Sequence, residues 1–478
     1  MMISKKSISP WSRRRLPCAA SLALSVAVAL SGCASWSPKA QEVPDVVVPT
    51  AWSTTLSPTR DATPASPNPL AQWWQRFNDP LLGTLVAQAL QANTSIRSAQ
   101  AALQQSRALR DVQNAGLLPG VSASGSAGRS KSGDFEASNS FGAKLDASWE
   151  PDIFGGKRSA LNASEADAQA AQATLADVQV SVAAEVALAY IQLRGQQTQL
   201  MIARNNLASQ NETLQITDWR AQAGLTTSLE VEQARTASEQ TGAQIPTLEA
   251  SIAKTQHALA VLTGQTPDAL QALVTTPLPV PQAAPDLALS IPAQTLRQRP
   301  DVRVAEHRIS AALARVSAAD AARYPGFSIK GSLGLNALTL GALTNGASVA
   351  NSLLAGISVP LFDGGAAIAQ VQAQEAALEQ ARASYQSVVL TALKDVEDAL
   401  VALRGDRERL VRLQGAATAA GNAALLAQQR YASGLIDFQI VLQTQRTLLT
   451  TQDNVASTSA DISADHVRLY KALGGGWF

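Results

Sequence analysis

The sequence repeats itself at an offset of about 210 residues, and this duplication constrains the fold more than any single motif does. Arg220-Ala221-Gln222-Ala223-Gly224-Leu225 returns as Arg430-Tyr431-Ala432-Ser433-Gly434-Leu435, and Leu193-Arg194-Gly195 returns as Leu403-Arg404-Gly405. Leu262-Thr263-Gly264 stands opposite Ala472-Leu473-Gly474, and Leu118-Pro119-Gly120 matches Tyr324-Pro325-Gly326 at a slightly smaller offset. The chain thus divides into a first repeat at 79–264 and a second at 296–474, with a short tail at 475–478. Between the repeats, 265–295 carries Pro267, Pro277, Pro279, Pro281, Pro285 and Pro292, a composition that resists helix and reads as a linker.

Inside each repeat the dominant period is helical. No proline interrupts 157–222, and Val186, Leu193, Leu200, Leu207 and Leu214 recur every seven residues, the spacing of a coiled-coil seam. Val389, Val396, Leu403 and Leu410 keep that spacing in the second repeat. About 66 residues at roughly 1.5 Å each make a rod near 100 Å long, a length of little use to a globule. After Gly224-Leu225 a return helix carries Ile245, Ile252 and Leu259, and the matching return covers 437–473. Each repeat is therefore expected to contain a long antiparallel helical hairpin.

Four short segments have the other period. Phe141, Ala143, Leu145, Ala147 and Trp149 alternate with small or polar residues, as do Phe327, Ile329, Leu333 and Leu335; 121–128 and 353–361 are weaker versions. They predict two β-hairpins, at 117–150 and 327–361, with tips at 130–140 and 337–350. Pro119 and Pro325 stop a helix before a strand; Pro151 and Pro360 end a strand before the next helix. Each strand has about the length that a tilted strand needs to cross a bilayer, but four strands close no barrel. In lipid every backbone group must be paired, so insertion demands that several chains pool their strands, odd positions facing lipid and even positions a lumen.

The N-terminus carries Lys5, Lys6, Arg13, Arg14 and Arg15, an apolar run at 16–30, and then Leu30-Ser31-Gly32-Cys33. This is the layout of a secretory signal at 1–32 ending in a lipobox, with Cys33 as the lipidated first residue of the mature chain and 33–78 as an extended, lipid-anchored arm. The formal charge of +1 falls to −4 without the signal, which leaves 33 basic against 37 acidic residues and gives no reason to expect nucleic acid as a partner. Only one cysteine then remains, so no intrachain disulfide can form. Ala34, next to the cysteine, favours sorting to the outer membrane, and no helix outside the signal reads as apolar enough to span a bilayer.

At this point the sequence resembles the outer-membrane channel family of tripartite efflux pumps, the TolC-like outer membrane factors, and within it the NodT lipoprotein branch. The resemblance rests on Trp73-Trp74 with Phe77-Asn78-Asp79-Pro80-Leu81, Leu296-Arg297-Gln298-Arg299-Pro300-Asp301-Val302 and Val359-Pro360-Leu361-Phe362-Asp363-Gly364-Gly365. Ala392-Leu393-Lys394-Asp395-Val396-Glu397-Asp398-Ala399-Leu400 and the ending Leu469-Tyr470-Lys471-Ala472-Leu473-Gly474-Gly475-Gly476-Trp477 continue it in family order. It implies a mainly α fold with a membrane β-barrel portion: a homotrimer whose helical hairpins form an α-barrel and whose chains each give four strands to a shared twelve-stranded barrel. It implies an outer-membrane location reaching into the periplasm, lipid around the barrel, and two protein partners, a periplasmic adaptor and an inner-membrane pump of the RND type. Gly224, Leu225, Thr226, Gly434, Leu435 and Ile436 match the hairpin turns that meet the adaptor. Tyr431, Gln443 and Arg446 match the periplasmic constriction, although Gln443 stands where the family pattern has an acidic residue, so a carboxylate ring at that level is in doubt.

Nothing in the sequence calls for an enzyme. His257, His307 and His466 have no second ligand at helical spacing, so neither a metal nor another cofactor is expected beyond the covalent lipid on Cys33. Glu397-Asp398 are adjacent on a helix and face different ways. Gly364-Gly365 lacks the lysine and hydroxyl of a phosphate loop. The expected function is a passive exit duct for drugs or other small molecules. A duct for type I protein secretion and a poreless lipid-anchored coiled-coil scaffold are the alternatives.

Overall fold

The computed structural model describes residues 72–283 and 293–475. Cys33, the signal at 1–32, most of the arm, linker residues 284–292 and the tail from 476 lie outside them. Helix α1 (Pro80–Ala92) is followed by α2 (Thr94–Ala115), strands β1 (Gly120–Ser130) and β2 (Ser138–Trp149), the long helix α3 (Gly156–Gln222) and its return α4 (Ser228–Leu262). The second repeat runs through α5 (Pro300–Ala321), β3 (Gly326–Ala337), β4 (Val349–Ser358), the long helix α6 (Ala366–Ala432) and its return α7 (Phe438–Ala472).

The helices obey the duplication residue for residue. Both long helices have 67 residues and both returns 35, and every one of these four bounds is displaced by 210 in the second repeat. Both long helices begin on an aspartate. Asp152 accepts from the Lys157 and Arg158 N–H groups, and Asp363 from those of Gly365 and Ala367, meeting donors that a helix start leaves unpaired. Burial pushes the Asp152 carboxyl up, but these backbone donors and the Arg158 guanidinium bring it below the ordinary carboxylate value. The bonds from Ala367 and Gly365 likewise lower Asp363.

The two returns are tied to the start of each repeat by the same device. Asn93, just before α2, donates from Nδ2 to the Leu262 carbonyl at 2.8 Å, and Arg299, just before α5, donates from Nη1 to the Ala472 carbonyl at 2.7 Å. Both acceptors are the last residue of a return helix, where carbonyls lack intrahelical partners. Arg299 also pairs with Asp301 at 2.7 Å and Asp395 at 3.5 Å.

The core lies where these ends converge. Trp73, fully buried, stacks on Tyr470 with ring centroids 5.6 Å apart and meets Trp74 and Phe77 edge-on. Trp73–Phe77 is a 3-10 turn, so this end of the expected extended arm is packed structure. Within the linker region, Gln271–Val274 makes one helical turn and Ala293–Gln298 a 3-10 turn. The first turn is held on α3 by buried Arg194 and Gln197, which donate to the Thr276 and Val274 carbonyls.

One expectation fails. Helix α3 contains a window with mean hydropathy 1.4, apolar enough in length and composition to cross a membrane, whereas the sequence reading allowed no such helix. Ala, Val and Leu run densely through its middle because it packs on α2, α4, α5 and α7 at once; 44% of that window is buried by protein. Its 67 residues are about three times a bilayer span.

The strands form one antiparallel sheet in the order β1-β2-β3-β4, so the two hairpins meet through β2 and β3. Val121 pairs with Ala147, Ala147 with Gly331 and Gly331 with Leu353; the odd-numbered residues of all four strands thus share a face. That face carries Phe141, Leu145, Trp149, Ile329, Leu333, Leu335 and Ile357, and the other carries Ser122, Ser124, Lys144, Asp146, Lys330 and Ser332. Both outer strands leave an unpaired backbone edge.

Candidate functional site

Two places lack a partner in the single chain: the open sheet and the helical tips. At the sheet, Leu145 is 50% exposed, Leu333 53% and Leu353 81%, an apolar surface that a water-soluble sheet would cover. On the opposite face Lys144 and Asp146 form an ion pair at 2.7 Å. A sheet apolar on one side, polar on the other and open at both edges fits a segment of a membrane barrel lined with water.

The tips are built alike. Each long helix ends in a glycine in the left-handed region, Gly224 at φ +72° and Gly434 at φ +75°. The next amide turns back, Leu225 N–H to the Arg220 carbonyl at 2.8 Å and Leu435 N–H to the Arg430 carbonyl at 2.9 Å, the geometry of a Schellman cap. Leu225 (69% exposed) and Leu435 (73%) point into solvent. The third residue of each turn does not: Thr226 bonds the Glu230 carboxylate, and Ile436 packs on the cluster formed by Tyr431, Phe438, Val441 and Leu442. Leu229 and Trp219, both well exposed, extend the apolar surface of the first tip.

The three expected constriction residues separate. Gln443 and Arg446 lie one turn apart on the exposed side of α7, while Tyr431 is buried between the two tips. The Arg220 guanidinium sits 4.7 Å from the Tyr431 ring centroid and donates to the Tyr431 and Ala432 carbonyls at 2.7 and 3.3 Å. Tyr431 Oη donates to Glu230 at 3.0 Å, and its ring leans on Phe438. Burial raises the phenol above its ordinary pKa; bonding from Thr217 opposes this and the Glu230 carboxylate adds to it. One aromatic side chain of the second tip is thus clasped from both sides by the first.

Above the clasp, α3 and α7 are joined by neutral pairs: Gln445 to Thr213 and Asn206 to Gln452, both at 2.8 Å. Arg220 and Glu230 escaped the sequence reading because their equivalents, Arg430 and Ile440, build nothing comparable; only the meeting of the two tips at Tyr431 identifies them. Among the described residues no three His, Cys, Asp or Glu side chains converge as a metal site.

Comparison with known proteins matches this architecture. Residues 85–265 and 291–475 fit the outer membrane efflux protein family. The chain is 31% identical to the toluene efflux pump outer membrane protein TtgF of Pseudomonas putida, over 95% of this chain and 96% of that one. It is 32% identical to the pyoverdine export outer membrane protein OpmQ of the same species, over 95% and 97%. Among solved structures, the outer-membrane channel OprN shares 34% identity with a TM-score of 0.82, over 91% of this chain and 99% of OprN. VceC of Vibrio cholerae shares 26% with a TM-score of 0.80, over 85% and 99%. Members of this family work as trimers with adaptor and inner-membrane pump partners. With its unclosed four-stranded sheet and paired helical hairpins, the chain belongs to the outer membrane efflux protein family and is a channel component of the outer membrane.

Proposed function

We propose that the chain is the passive exit duct of a small-molecule efflux pump, anchored by lipid on Cys33 and engaged by a periplasmic adaptor at Gly224, Leu225, Thr226, Gly434, Leu435 and Ile436. The observation that carries this reading is the sheet, whose apolar and polar faces and two open edges are reconciled when three copies close a twelve-stranded barrel. Below it, hairpins about 100 Å long continue the duct. Relatives named for toluene efflux and pyoverdine export support a small-molecule cargo. Arg446 and Gln443 contribute a polar constriction without a carboxylate, and Tyr431 controls it indirectly, by holding the second tip against the first. The chain performs no chemistry on what passes, and energy comes from the inner-membrane partner.

Gentle purification of the native complex tests the proposal. An adaptor and an RND-type pump should be recovered with the chain, less so with Leu225→Asp or Leu435→Asp, and the mature protein should carry the mass of a lipidated Cys33. Recovery of an ATP-driven protein exporter would move the reading to type I secretion; recovery of no adaptor at all would leave the scaffold.

A further inference from the structure

The duplication supplies an internal comparison, because the same helix joint occurs twice with different chemistry. In the first repeat, α3 and α4 meet at this level through an uncharged pair, Thr255 bonded to Gln196 at 3.0 Å; Gln197, Gln199, Ser251, Gln256 and Ala258 beside it are uncharged too, and Lys254 and His257 of α4 are exposed. The positions 210 residues after the uncharged ones, on α6 and α7, are Asp406, Arg407, Arg409, Asp461, Asp465, His466 and Arg468. Every one of them is ionisable.

At the centre is Asp465, 1% exposed. Its Oδ1 accepts from Arg468 at 2.6 Å, while its Oδ2 is buried with no hydrogen-bond partner. Asp461 on its own helix and Asp406 on α6 both act on it as like charges, and Arg409 reaches Asp406 only at 3.9 Å. His466 is committed elsewhere. Its Nδ1 faces the Ile462 carbonyl at 2.8 Å and its Nε2 faces Arg407 at 3.2 Å, so the first must donate and the second accept, which is the neutral ring.

The other flank brings no compensating charge. Helix α3 reaches this level with Tyr190 and Arg194, because a Cβ on Gly195 would lie 3.2 Å from the Ala460 methyl and one on Gly475 would lie 3.2 Å from Val180. Tyr190 bonds Asp79 at 2.7 Å, and Arg194 bonds Gln197 and the Thr276 carbonyl. The linker, which touches α7 through Gln282 and Ser459, has no titratable residue between 271 and 283. From α4, Gln233 meets α7 at Gln439, far below the joint.

We propose that the α6/α7 joint is a proton-sensitive fulcrum of the second hairpin: the packed joint keeps a proton on Asp465, and losing that proton loosens α7 from α6. A neutral Asp465 removes one of three crowded carboxylates, whereas an ionised one leaves a buried charge that Arg468 alone offsets. Burial first, then Asp406 and Asp461, push Asp465 up to about 6 despite Arg468. The sign follows. The packed joint binds a proton that the water-exposed, loosened joint releases at the ordinary carboxylate value, so acid tightens the joint and the effect fades as pH rises through about 6. The first repeat, with no ionisable group at the equivalent positions and with Glu249, Lys254 and His257 exposed to water, does not respond. This inference stands on the joint itself and is independent of what the duct carries.

Amide exchange on the purified trimer, corrected for the intrinsic pH dependence of exchange, tests it. Residues 403–411 and 459–470 should open about tenfold more at pH 7.5 than at pH 5.0, while 193–201 and 249–260 stay level. Asp465→Thr, which installs the first-repeat residue, should abolish the difference. Asp406→Gln should keep it but move its midpoint to lower pH. Equal responses in both repeats, no response in the second, or persistence in Asp465→Thr would overturn the proposal. Should that variant fail to assemble, an unmoved midpoint in Asp406→Gln would overturn it alone.

Discussion

Tyr431 shows how a single residue acquires a role from its surroundings. Its counterpart in the first repeat is Ala221, and no local pattern distinguishes it; the family resemblance alone drew attention to it. The resemblance placed it with Gln443 and Arg446, whereas the structure puts it behind them, clasped by Arg220 and Glu230. Those partners lie more than 200 residues away in sequence, beyond the reach of periodicity. The clasp makes a graded prediction for local opening of the tips, measured by amide exchange. Tyr431→Phe keeps the ring but loses a bond to a carboxylate and should cost about 1.5 kcal/mol. Arg220→Ala loses the ring contact and the carbonyl bonds and should cost about 2–3 kcal/mol. The double variant should cost less than the sum, because both partners hold one side chain.

The helices and strands were the most legible part. Proline-free heptads predict a helix over 157–222 and the structure has Gly156–Gln222, because a long seam leaves its period in the sequence whatever it packs against. The strand segments were equally visible as alternation, since each has one face toward either environment. What alternation cannot express is neighbourhood: that β2 pairs with β3 across 180 to 196 residues depends on how α3 and α5 pack. Capping and stapling were also hidden. Asn93 and Arg299 stand at matching positions, 206 residues apart, but do the same job with unlike side chains, so residue type alone does not reveal it. Pro246 stands inside α4, where a local rule predicts a break, yet the helix runs through it from Ser228 to Leu262. The tightest junction is at the end of α4. A Cβ on Gly264 would lie 2.5 Å from the Ala92 carbonyl oxygen, with φ at +72°. Gly264→Ala should therefore cost about 2–4 kcal/mol in thermal or denaturant unfolding, whereas the same change at Gly83, with nothing within 4 Å of an added Cβ, should be nearly neutral or slightly stabilising.

The whole molecule is incomplete as a single chain. A single chain exposes Leu353, Leu361 and Phe362 and leaves two strand edges unpaired, costs that lipid and neighbouring copies remove together. The duplication explains the economy of the design: two copies of one hairpin per chain give six hairpins per trimer. Function then resides where the copies diverged: in the Tyr431 clasp, which joins the second tip to the first, and in the Asp465 joint of the second repeat, while the backbones of the helical hairpins match residue for residue. Conductance of purified, folded trimers in planar lipid bilayers tests the duct directly, with the native chain compared to an Arg220→Ala/Tyr431→Phe variant. A duct gives discrete channel currents, larger or more frequent when the clasp is removed. Intact trimers that insert yet carry no current in either form would contradict it.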